Sequence, residues 1–204
     1  MHSTTADYPP TTNHTLKGQP ERTAKGSGVI SMINYAKQHG DEQRFERFLQ
    51  RFSPEDRETL GGIVTPVMRF KETTNQALIN NLVAEFLDGD PERAVELGRF
   101  IIDDGLSTIY RVFFKVGSPK MIIARANRLW RQYHEVGSLE TFDIESKSIR
   151  VRLTFPYTDL AFCRLMTGTV FSSLERSGAN NVILKHEKCA AKGDAYCQYY
   201  VTWD

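Results

Sequence analysis

A single change of hydrophobic period, near residue 137, limits the folds open to this chain. Between about residues 27 and 135, "GVISMINYAKQHG", "DEQRFERFLQRF" and "TTNQALINNLVAEFLDGD" carry apolar residues at helical spacing, with Leu78, Leu82 and Phe86 on one stripe. Three further helix starts share one grammar, an N-cap side chain before proline: Ser53 in "SPEDRETL", Asp90 in "DPERAVEL" and Ser118 in "SPKMIIARANRLW". From residue 137 the period becomes two. Leu139, Phe142 and Ile144, then Ile149, Val151, Leu153 and Phe155, alternate with polar residues around the turn "ESKS". Helical spacing returns once, with Leu160, Cys163, Thr167, Val170 and Leu174 on a stripe that Gly178 ends. Two more strands, "NVILKHEKC" and "AYCQYYVTW", close the chain. The pattern predicts an α+β fold: a helical N-terminal half packed on a β-β-α-β-β unit, a small antiparallel sheet with a covering helix.

The division expected is a disordered tail over 1–25, a helical dimerisation region over 26–95 and a ligand-binding domain over 96–204. The tail is rich in Thr, Pro, Gly and polar residues, which bury too little surface to offset the entropy of ordering them. The helical half has Phe45, Phe48, Leu49 and Phe52 within eight residues. That apparent surplus predicts a homodimer. Basic residues (26) nearly cancel acidic ones (25), so nothing in the charge points to nucleic acid or an anionic membrane. No apolar run approaches the roughly 18 residues of a membrane span, and the N-terminus lacks a signal-like stretch. With three cysteines, this predicts a cytoplasmic protein in which a disulfide is not the expected use.

Those cysteines are the chemical signal. Cys189 and Cys197 flank "AAKGD", so a hairpin turning near Gly193 sets them opposite each other, where Cβ atoms stand about 4.5–5.5 Å apart. Cys163 lies on the buried stripe of the helix expected to cover that hairpin. The spacing suits thiolates on one zinc ion. The fourth ligand is open on spacing alone: a regular strand favours Glu187, two residues before Cys189, whereas a bulge near Lys188 admits His186.

The stretch "CRLMTGTVFSSLERSGANNVILKHEKCAAKGDAYCQYYVTW", with its helix cysteine, following glycine and C-x-x-x-G-D-x-x-C knuckle before an aromatic, resembles the 4-vinyl reductase domain, a bacterial and archaeal small-molecule-binding module. "GVISMINYAKQHGDEQRFERFLQRFSPEDRETLGGIVTPVMRF", "ELGRF" and "GSPKMIIARANRLWRQYHEVG" resemble an uncharacterised paralogous family of myxobacteria that joins a helical half to such a C-terminus. The first resemblance implies a structural zinc site on Cys163, His186, Cys189 and Cys197, with histidine where the family's phenol-sensing members have glutamate. It also implies a sensor that acts through protein contacts.

No G-x-G-x-x-G follows a strand, and "KGSGV" and "LGG" are too short to be phosphate loops. No catalytic grouping stands out, so an enzyme is not expected. The expected ligand is a small apolar or aromatic molecule, held by Tyr110, Phe113, Phe114, Trp130 and Tyr133 between the sheet and the preceding helices. His134 either orients that ligand or caps a helix. The alternative is a protein-interaction scaffold with no small ligand, on the likeness of the resembled fold to trafficking-complex subunits.

Overall fold

The computed structural model describes residues 23–105 and 118–204. A short strand β1 (Thr23–Lys25) leads into α1 (Gly26–Gln38), α2 (Glu42–Leu49) and α3 (Pro54–Gly61). Strand β2 (Arg69–Lys71) pairs antiparallel with β1, and α4 (Glu72–Phe86) and α5 (Ala94–Gly105) follow. After α6 (Pro119–Tyr133) come β3 (Ser138–Phe142), β4 (Ser148–Thr154), α7 (Leu160–Arg176), β5 (Ile183–Lys188) and β6 (Cys197–Thr202). The last four strands form one antiparallel sheet in the order β3-β4-β6-β5. This is the α+β arrangement that the change of period predicts: helices packed on a small antiparallel sheet, with α7 as its cover.

Local chemistry explains most of the boundaries. Asp41 accepts the Arg44 N–H, Ser53 that of Asp56 and Asp159 that of Phe162, each supplying a first-turn N–H with a partner that the helix itself lacks. The Ser118 side chain makes no such bond, although Pro119 occupies the first helical position. Asp90 caps a 3-10 turn over Pro91–Arg93, and α5 begins only after it. At the end of α7, Gly178 takes φ +96, and the next N–H, of Ala179, returns to the Leu174 carbonyl.

Two expectations need correction. Residues 23–25 are not tail: Ala24 sits opposite Phe70 and also bridges His134, because β2 and the end of α6 offer it backbone partners on both sides. Residues 1–22 lie outside the described residues. Phe48, Leu49 and Phe52 are not surplus surface. All three are buried within the chain, Phe48 with rings edge-on to Phe52 and Phe86. The expected boundary between residues 95 and 96 falls inside α5, and one apolar core runs from Val29 through Leu97 to Val201.

The core's densest crossing is that of α5 on α7. A Cβ on Gly98 would stand 1.9 Å from the Leu165 carbonyl oxygen, and one on Gly168 2.1 Å from that of Val95. The two backbones meet through absent side chains. This crossing fixes α7, and α7 positions both candidate sites.

Candidate functional site

Helix α7 presents different residues to its two sides. Phe162, Met166, Thr169 and Val170 border a cavity of about 620 Å³; Cys163 faces the end of the sheet. The opposite wall is β3 and β4, whose alternation aims Leu139, Thr141, Ile149 and Val151 inward. Helix α6 contributes Ile122, Ile123, Ala126 and Trp130 on one stripe, α1 contributes Met32, and α4 contributes Ile79. The lining is dominated by aliphatic and aromatic groups, and the volume lies within the usual range for a small-molecule site.

One corner is polar. Glu72, with no solvent exposure of its side chain, meets Nδ1 of His134 at 2.8 Å. With the carboxylate as acceptor, Nδ1 carries the hydrogen. The imidazole stacks on Trp130 with ring centroids 4.2 Å apart and meets Phe155 near edge-on. Trp130 is anchored in turn, its indole N–H donating to the Val136 carbonyl at 2.8 Å. At another wall Asn34 donates to the Asp104 carboxylate at 3.1 Å.

The cysteines do converge. The Sγ atoms of Cys163, Cys189 and Cys197 all lie within 4.8 Å of one another, and all three residues are buried. The Sγ atoms of Cys163 and Cys197 are 3.1 Å apart and share a hydrogen bond that holds the Cys197 thiol down and drives that of Cys163 up. His186 also lowers Cys197, and its ring stacks on Tyr199. The register of β5 on β6 shifts between His186 and Lys188. That irregularity turns Glu187 away, to Arg150 at 3.1 Å and Gln198 at 2.8 Å, and leaves His186 beside the thiols with Nε2 buried and without a hydrogen-bond partner.

Of the residues expected to hold a ligand, Trp130 and Tyr133 line the cavity. Tyr110, Phe113 and Phe114 lie outside the described residues. Sequence reasoning missed Met32, Ile79, Phe162 and Met166, which look like ordinary core positions on their own helices. It also missed Glu72, whose place in the first turn of α4 reads as a match to the helix dipole. Nothing local marks it as buried.

No family model matches the chain, and no curated protein matches it. Solved structures do. An H-NOX protein from S. oneidensis in the Fe(II)NO ligation state aligns with a TM-score of 0.70 and 14% identity, over 88% of this chain and 99% of that one. An unliganded Fe(II) H-NOX protein from K. algicida aligns at 0.66 and 11%, over 88% and 96%. A third, described as modulating heme redox potential through porphyrin distortion, aligns at 0.66 and 10%, over 88% and 95%. At this identity the likeness establishes the fold. It corrects the resemblance to the 4-vinyl reductase domain, since the neighbours across both halves are H-NOX proteins. The short knuckle motif that carried the resemblance does not identify the fold around it. The structural zinc that came with the resemblance is overturned as well, because the metal named for two of these neighbours is iron and the group named for the third is heme.

Proposed function

We propose that this chain is a small-molecule-binding regulatory module whose ligand occupies the cavity between α6, α7 and the sheet. The observation that carries this reading is the cavity itself: about 620 Å³ of mostly apolar lining, with one polar corner at His134, which Glu72 backs from outside the lining. Large apolar walls supply the binding free energy, and a few fixed polar groups supply orientation. Support also comes from the fold neighbours, which are described in distinct ligation states. Binding would be communicated through α7, which borders the cavity on one side and contacts α5 through Gly98 and Gly168 on another. A protein partner would read that change.

The test is a filled cavity. Ala126 lines the cavity from α6 and is only partly buried, so Ala126→Trp should occupy the space without breaking the surrounding core. Native mass spectrometry of the protein as purified, and binding of a neutral apolar fluorophore, should both show an occupant that Ala126→Trp removes. Identical binding by both proteins would refute the assignment.

A further inference from the structure

We infer that the cavity takes a metal-free, uncharged and largely apolar organic molecule, and that this chain does not hold heme, the group named for one of its fold neighbours. The inference rests on the small-molecule reading above and narrows its ligand class.

Heme makes two demands on a protein: an axial donor for the iron, and partners for two propionate charges. The donor set here is poor. Of five histidines, His134 is the one that lines the cavity among the described residues. Its Nδ1 is committed to Glu72 and its face to Trp130. His39 stacks on Tyr35 elsewhere, with Nδ1 at the Tyr35 carbonyl, and His186 is among the thiols. The cysteines are drawn together on the far side of α7, and none of them borders the cavity. The segment 106–117, outside the described residues, contains no histidine, cysteine or methionine. Met32, Met166 and Tyr133 do line the cavity, but methionine serves heme as the partner of a histidine, and tyrosine binds iron as a phenolate, which would add a negative charge to the site.

The charge balance is the stronger argument. Among the described lining residues the cations are Lys25 and, if protonated, His134; no arginine is present, and Asp104 adds an acid. His134 already faces the buried carboxylate of Glu72. Among the described lining residues, two propionates would meet one lysine and the Asp104 carboxylate, with Glu72 behind His134, and burying an unmatched charge costs several kcal/mol. A neutral molecule avoids that cost. Its shape would be set by the apolar walls of Ile79, Ile123, Val151, Phe162 and Met166, and a single hydrogen-bonding group would suit the His134 corner.

An imidazole whose Nδ1 donates to a carboxylate is also how metal-bound histidines are oriented, so His134 is the residue on which the inference turns. The full chain is titrated in parallel with N-phenyl-1-naphthylamine, a neutral apolar fluorophore, and with hemin, oxidised and after dithionite reduction. The comparison is repeated in His134→Gln, which keeps an N–H for Glu72 and removes the axial donor. The expected result is saturable 1:1 binding of the fluorophore, weakened about tenfold or more by Ala126→Trp. Hemin should give only a non-stoichiometric spectrum that His134→Gln leaves unchanged. One heme per chain with a Soret band that shifts in His134→Gln would overturn the inference and leave the small-molecule reading standing. If neither probe binds, both fall.

Discussion

His134 Nδ1 stands 2.8 Å from Glu72 Oε1 across 62 residues of sequence, joining the start of α4 to the end of α6. The carboxylate has no exposure to solvent, and the Asn75 side-chain amide donates to it only at a long 3.5 Å. Removing one member of such a pair strands a buried polar or charged group. His134→Ala should therefore cost about 3–5 kcal/mol of folding stability. Adding Glu72→Gln should return at least about 1 kcal/mol relative to the sum of the single changes. Urea denaturation of the four proteins measures this. Strictly additive losses would show that the pair is not a unit.

The crossing of α5 and α7 makes a sharper demand. A methyl group on Gly98 or Gly168 meets a backbone carbonyl of the opposing helix, which cannot rotate aside. Gly98→Ala and Gly168→Ala should each cost about 3 kcal/mol or more, at the upper end for overpacking, because the helices must separate. Gly28, beside the cavity, has nothing within 4 Å of a built Cβ, and Gly28→Ala serves as the control. Equal stability for all three would contradict the geometry.

Phe48 separates a core reading of the N-terminal helices from a dimer reading. It is fully buried in the chain's own core. Phe48→Ala should lower stability by about 3–5 kcal/mol, as for other large core truncations. It should leave the concentration dependence of light scattering as in the parent protein. A loss of mass without a loss of stability would return this face to a second copy.

These cases show where the sequence was legible. Period alone located the sheet, because Ile149, Val151 and Leu153 alternate cleanly and are all buried. Of the caps marked by a following proline, Ser53 located a helix whose first turn it serves, whereas Asp41 and Asp159 cap their helices with no proline to mark them. The thiol cluster was legible because a hairpin places its ends opposite each other whatever surrounds it. The cavity was not. A residue facing empty space and one facing a packed neighbour follow the same helical pattern, so Ile79 on the cavity and Leu82 in the core look alike. The aromatic cluster "FERFLQRF" misled for a related reason. Density of apolar residues does not say whether the partner surface belongs to the same chain, and here α4 supplies it through Phe86. The glycines at 98 and 168 carried no signal either, since a close crossing appears only once two distant helices are laid together.

On the outer side of the sheet, Glu187 lies below the usual carboxylate range, chiefly through its hydrogen bond with Arg150 and then that with Gln198. A carboxylate lowered in the folded state adds stability above its unfolded value and loses it as pH falls through the folded one. The pair is only partly buried and solvent still screens it, so the contribution is under about 1 kcal/mol. Glu187→Gln should thus be slightly less stable than the parent at pH 7 and indistinguishable from it near pH 3. A difference that grows on acidification would reverse the sign.

Ligand binding should also appear as stability. A molecule that binds only the folded chain adds RT ln(1 + [L]/Kd), about 2.7 kcal/mol at one hundred times Kd. For a chain of this size each kcal/mol moves Tm by roughly 2–4 °C. N-phenyl-1-naphthylamine at that excess should therefore raise Tm by roughly 5–11 °C. In Ala126→Trp the tryptophan occupies the same space, so the shift should nearly vanish while the unliganded Tm stays close to that of the parent. Trp130 offers an independent readout from inside the cavity wall, because a ligand against its ring changes its emission. Differential scanning fluorimetry would confound dye with ligand, so calorimetry is the measurement of choice. An unchanged Tm at saturating fluorophore would place the binding outside the folded cavity, and the assignment of the site would fail.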